Sequence, residues 1–356
     1  MTEQLLLAML DTVGCSVSNN FANFLNSGSA PEMEVECLEV GDLDSGLSML
    51  DSGEADVLAV PASLIHGRRL EILQAGLEIV GARTPQRPYS ILVSDNKLQY
   101  QPKSAIILCG QKLVRRQLRR ARKGIRILDP GAYSAISGKD TPPGDPVSSV
   151  RWMEELRDSG EIDGFVTQRG VYEEAGLVSR RHSLLPDPQN AGEPRFLPLP
   201  YSDLIVLIAR RMFPVSISEQ ISEKEGETSW WVHDNLIGSL DEDMLEKTGI
   251  LVRHRQVRSL IKQAENTRDL LLEQVCQNPD GDVIEDEVHV EFRIEFVSKN
   301  GKKTVGMHRV VRHSDIERAT IASLRDWEIL LKETSRDVPK DFHTDLDAPS
   351  FITLED

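Results

Sequence analysis

Ala105–Leu128, AIILCGQKLVRRQLRRARKGIRIL, reads as strand, turn, helix, strand. AIIL is a run that suits a buried strand, Gly110 permits a tight turn, and Val114, Leu118 and Ala121 recur at helical spacing along one face. The other faces of that helix are cationic. Between Lys112 and Arg126 there are eight Lys or Arg and no acid, in a chain of formal charge −16. Arg115 and Arg116 stand in the first turn, where unpaired backbone N–H groups and the positive end of the helix dipole favour an anion. With Gly110 and Lys112 beside them, they are the expected site for a small anionic ligand, each guanidinium contact contributing about 1.5–3 kcal/mol. Arg119, Arg120, Arg122 and Lys123 read as a solvated face.

Working outward, short buried strands and helices alternate on both sides of this unit. LDSGEADVLAV from Leu50 and RDSGEIDGFVT from Arg157 repeat one corner: a helix stops at a Gly, acids flank the turn, and a buried strand follows. That echo predicts two lobes of similar α/β build with largely parallel sheets and a ligand cleft between them. LIVLIA, Leu204–Ala209, is expected to return the chain to the first lobe. Further on, a long helical region over Asp241–Gln274, strands at Glu287–Val297 and Lys302–Val311 joined by Asn300-Gly301, and a helix over Ser314–Glu333 predict an α+β domain. The expected divisions are 1–98 with 196–215 for the first lobe, 99–195 for the second, 216–336 for the third domain, and 337–356 for an acidic mobile tail.

Composition excludes several classes. Hydrophobic residues at 40% and charged residues at 28% describe a folded chain. Cys15, Cys37, Cys109 and Cys276 are scattered, with no C-x-x-C, and H-E-x-x-H, the P-loop and G-x-G-x-x-G are absent. No metal is expected. The acidic bulk and the 5% aromatic content disfavour nucleic acid, leaving an Arg-helix nucleic-acid reading as an alternative only. No apolar run approaches a membrane span and MTEQLLLAML has no basic n-region, so the cytoplasm is expected, without a membrane partner.

GQKLVRRQ (110–117), SGEAD before a strand, RTPQR (83–87) before YSILVS, and DSGEIDGFVTQRGVYEEAGL from Asp158 follow one another in an order that resembles the porphobilinogen deaminase (hydroxymethylbilane synthase) family. The resemblance implies two lobes like those of type 2 periplasmic binding proteins plus a C-terminal α+β domain. It also implies a cleft for pyrrole or tetrapyrrole carboxylates held by Arg115, Arg116 and Arg151. A dipyrromethane cofactor would hang from Cys276, which follows Asn266-Thr267-Arg268 and Leu272-Glu273-Gln274-Val275.

The chain departs from that family where the chemistry lies. Ser63 and Leu64 stand where the family has its Lys and catalytic Asp, and a Leu can neither move a proton nor stabilise a developing cation. Asp129 replaces a further ligand-binding Arg. The expected protein is therefore deaminase-like, of tetrapyrrole biosynthesis context, binding an acidic pyrrole without the polymerising chemistry. The alternative is an active transferase of the hydroxymethylbilane synthase type that recruits His66 or Asp56.

Overall fold

The computed structural model describes residues 4–28, 30–187, 194–277, 281–284 and 287–335. The first lobe is built from β1 (Gln4–Met9), α1 (Val17–Leu25), β2 (Glu34–Glu39), α2 (Leu43–Ser52), β3 (Val57–Pro61), α3 (Arg69–Gln74) and β4 (Leu77–Arg83). The second holds β5 (Ser90–Ser94), β6 (Ile106–Cys109), α4 (Lys112–Ala121), β7 (Arg126–Leu128), α5 (Pro130–Ser137), α6 (Pro146–Asp158), β8 (Gly164–Gln168), α7 (Arg169–Glu174) and β9 (Arg181–Ser183). The chain then returns to the first sheet as β10 (Ile205–Arg210).

The two sheets share one topology. Their strand orders are β2-β1-β3-β10-β4 and β7-β6-β8-β5-β9, and in each the fourth strand runs antiparallel to the third after crossing from the other lobe. This exchange of strands joins two lobes of the type 2 periplasmic-binding-protein kind by two connections. The crossover lies between β4 and β5, so Ser90–Ser94 pairs in the second sheet although it falls within 1–98.

The repeated acidic corner has a physical job. Asp56 Oδ2 accepts the Leu6 N–H at 2.9 Å, and Asp163 Oδ2 accepts the Ile106 N–H at 2.8 Å. Each carboxylate ties the start of one central strand to its parallel neighbour, β3 to β1 and β8 to β6. Gly53 at φ 81° and Gly160 at φ 76° supply the left-handed turn just before.

The third domain comprises α8 (Val215–Ile221), α9 (Lys224–Ile237), α10 (Glu242–Leu245), β11 (Thr248–Gln256), α11 (Val257–Thr267), α12 (Leu270–Val275), β12 (Val288–Val297), β13 (Thr304–Arg312) and α13 (Ile316–Ser335). Its sheet is antiparallel in the order β11-β12-β13. The helical region expected over Asp241–Gln274 is thus corrected: nine of its residues form β11, paired with β12 from Thr248↔Phe296 to Gln256↔Val288. Long cross-strand pairing outweighs local helix propensity there. Phe292, Phe296 and Trp327 share a continuous core with Leu58, Val206 and Ile208 of the first lobe, so the third domain is seated on that lobe. The tail 337–356 lies outside the described residues.

Candidate functional site

The expected anion site does not form. Arg115 Nη1 donates to the Cys109 and Gly110 carbonyls at 2.9 Å each and to Asp129 Oδ2 at 2.6 Å. Arg116 is 3% exposed, donates to the Val297 carbonyl at 2.8 Å and lies 5.4 Å from the Phe296 ring centroid. Lys112 pairs with Glu246 at 2.8 Å and Asp243 at 3.2 Å. The basic helix is therefore a seam between the second lobe and the third domain. Its cations satisfy carbonyls and acids of the fold. Arg151 Nε donates to the Ala175 carbonyl at 3.3 Å, and Gly110 has open space where a Cβ would project. Arg116→Met is expected to lower stability by about 1–3 kcal/mol through the lost charged hydrogen bond, and to leave small-molecule binding unchanged. Chemical unfolding and calorimetric titration of the variant check both halves.

The other implied residues are also structural. Leu64 packs against the first-lobe core and Ser63 is exposed beside it. His66 bonds the Leu240 carbonyl at 2.9 Å and the Tyr201 hydroxyl at 3.2 Å, and Asp56 is the strand tie described above, so neither is poised as a substitute acid. Cys276 is 1% exposed among Val257, Leu260, Ala264 and Leu272, with its Sγ 3.4 Å from the Leu272 carbonyl. Burial raises its pKa.

The concave site lies elsewhere, at the junction of the two lobes. A pocket of about 640 Å³ is lined by Asp11, Ser16 and Asn20 of the first lobe, Gly170, Glu173 and Glu174 of the second, and Gln86, Arg87 and Asp203 of the two connections. Asp11 follows β1, Ser16 caps α1 and Gly170 lies at the start of α7, as at ligand sites of open α/β sheets, while Glu173 and Glu174 close α7. The loop after β1 closes on itself, with Thr12 and Cys15 exchanging backbone bonds of 3.2 and 3.0 Å around Gly14 at φ 87°. It then presses on the start of α7. A Cβ on Gly170 would stand 2.3 Å from the Gly14 carbonyl oxygen, so only glycine permits the lobes to touch there.

The pocket is acidic. Asp11 caps α1 by accepting the Ser18 N–H at 2.9 Å and the Ser18 hydroxyl, and Ser16 Oγ accepts the Asn19 N–H at 3.3 Å. Glu173 is matched by Arg87 and by Arg169 Nε at 2.9 Å. Asp203, in the left-handed region at φ 58°, accepts the Gln86 and Arg87 N–H groups at 2.8 and 2.5 Å. Burial pushes its carboxyl pKa up against those two bonds. Burial also raises the Cys15 thiol, with Asp203 and Asp11 adding to the shift. Asp11, Asn20, Glu174 and Asp203 carried no sequence motif; the polar run SNNFAN after a first strand was the only local signal.

Among the described residues no helix is long and apolar enough to cross a membrane, and no three acidic, His or Cys side chains converge on a metal site.

No family model matches the chain, and no curated protein matches it. Among solved structures it is similar to an ABC transporter protein from Parabacteroides distasonis, at 12% identity over 98% of both chains with a TM-score of 0.36. It is similar to the periplasmic aliphatic sulphonate binding protein of Escherichia coli, at 16% identity over 68% of this chain and 73% of that one, TM-score 0.30. A third is a methionine-binding lipoprotein from Bacillus subtilis, at 9% identity over 63% and 92%, TM-score 0.31. At this level the likeness says nothing of ligand or reaction. The resemblance to porphobilinogen deaminase is corrected by these findings: the neighbours are described as transporter and binding proteins, and the residues implied for pyrrole carboxylates are engaged within the fold. Membership of tetrapyrrole biosynthesis goes with it, and the Arg-helix nucleic-acid reading loses its basis because Arg115, Arg116 and Arg120 are engaged within the fold. The expectation of the cytoplasm is corrected as well, since the similar structures are described as a periplasmic protein and a lipoprotein.

Proposed function

We propose that this chain is a small-molecule-binding protein whose ligand sits between the two α/β lobes. The observation that carries the reading is the pocket itself, to which the first lobe, the second lobe and both connections each contribute polar side chains. Two lobes joined by two strands are a hinge, and a ligand touching both lobes favours their closed arrangement by its difference in affinity for the two. The Ser18 hydroxyl bonded to Asp11 belongs to the cap of α1, so binding, not turnover, is the reading the site supports.

A thermal-denaturation screen of the full chain against polar metabolites tests this. A ligand present at a hundred times its Kd is expected to stabilise by about 2.7 kcal/mol. Asn23→Trp places a bulky ring at the pocket's exposed wall, and it is expected to weaken the same ligand at least tenfold while leaving the melting temperature of the free protein within a few degrees. Undiminished binding in that variant would place the ligand elsewhere.

A further inference from the structure

We propose that the interlobe pocket selects a small organic cation, a primary amine that also carries a hydrogen-bond acceptor, held by the carboxylates of Asp11, Glu174 and Asp203 and by the amide nitrogen of Asn20. This rests on the reading that the pocket is the ligand site.

The first observation is the charge left inside. Asp11, Glu173, Glu174 and Asp203 face one cation, Arg87, and Arg87 is engaged with Glu173. Among the described residues neither Asp11, Glu174 nor Asp203 forms an ion pair. Glu174 meets only the Gly14 N–H, at 3.4 Å, and Asp203 is bonded through Oδ2, which leaves Oδ1 for a ligand. The element that would otherwise draw an anion here is the start of α1. Its Ser18 and Asn19 N–H groups are already taken by Asp11 and Ser16, so the helix end offers an anion little.

The second observation is independent of charge. Asn20 is 8% exposed and lines the pocket, and its Oδ1 accepts Arg83 Nε at 3.0 Å. A guanidinium can only donate, which fixes the amide's orientation and turns its NH2 end away from Arg83. Among the described residues that NH2 group has no partner. An amide donor left free at the pocket wall suits a ligand that carries an oxygen acceptor. The ligand that satisfies both observations is cationic at one end and an oxygen acceptor at another. A bare metal ion does not, because the carboxylates do not converge.

Three matched series of probes distinguish the outcomes by melting-temperature titration of the full chain. They are glucosamine, ethanolamine and 4-aminobutan-1-ol; glucose, ethylene glycol and butane-1,4-diol; and glucuronate, glycolate and 4-hydroxybutanoate. The amines are expected to stabilise at concentrations at least tenfold lower than their neutral and acidic counterparts, and the double variant Asp203→Asn with Glu174→Gln is expected to erase that difference. Glu174 is exposed, so Glu174→Gln alone serves if the double variant does not fold. Neutral or acidic probes that bind as well as amines, and are lost in Asn23→Trp, would overturn the cation preference and leave the pocket reading standing. An amine preference that survives loss of both carboxylates would also overturn it. If no probe of any series shifts the melting temperature, the cation preference and the pocket reading fall together.

Discussion

Glu291→Ala is expected to lower the unfolding free energy by about 3–5 kcal/mol, the cost of leaving buried charges without their partner. Glu291 lies on the central strand of the third-domain sheet with its side chain 1% exposed. One oxygen accepts Arg253 Nε at 3.0 Å and Nη2 at 2.7 Å together with Arg255 Nη1 at 2.6 Å, and the other pairs with Arg293 at 2.5 Å and His308 at 2.9 Å. Burial alone would raise this carboxyl's pKa, yet the His308 hydrogen bond and the Arg253 and Arg293 charges hold it far below the usual carboxylate range. Asp187, from the second lobe, accepts from Arg293 at 2.9 Å and pairs with Arg253 at 2.5 Å, but it is 40% exposed and cannot replace the lost charge. Urea unfolding followed by circular dichroism measures the loss. Asp187→Asn, at the wet edge of the same network, should cost well under half as much. Equal and small effects from both variants would mean that the arginines are solvated and that the network is a surface feature.

How far the chain could be read without its structure follows from which contacts are local. The Gly-Glu-x-Asp corners at Gly53 and Gly160 announce themselves because turn, acid and strand lie within ten residues, although the strand each acid ties to is 50 or 57 residues away, and the two lobes follow from their repetition. LIVLIA was legible as a strand returning to the first lobe because a run of six apolar residues has to be covered on both faces, and there it pairs with β3 and β4. β11 was hidden. TGILVRHRQ sits between two helices, and the partner that makes it a strand begins 32 residues after its last residue.

The arginines of α4 show the same limit more sharply. Their number and spacing were visible, but a guanidinium suits a ligand carboxylate and a backbone carbonyl equally well. The group that decides for Arg116 is the carbonyl of Val297, 181 positions away. Gly301 completes the seam, since a Cβ there would stand 2.6 Å from Arg120 N. The pocket residues were harder still. Asp203 and Glu174 belong to no periodic pattern, and only the crossing of the two lobes brings them to the loop after β1.

Acidification from pH 6.5 to about 4 is expected to remove roughly 3 kcal/mol of stability through His233 alone. This imidazole is buried in α9 against Tyr201, with ring centroids 5.3 Å apart, and its Nδ1 is 2.7 Å from the Ser229 carbonyl. Burial lowers its pKa from 6.5 to about 4, the bond to Ser229 opposing only in part. Between those two values the unfolded chain takes up a proton that the folded chain refuses, so stability is full above pH 6.5 and declines as the pH falls towards 4. His233→Phe keeps the aromatic contact and removes the titration. Its unfolding free energy, measured by urea denaturation at half-unit steps, should fall less steeply than that of the parent across this window, and the two curves should draw together by the full amount at the acid end. Parallel curves would show that the ring takes up its proton in the folded state. That would require a counter-charge or water within reach of Nε2, in the space where α9 packs on the first lobe.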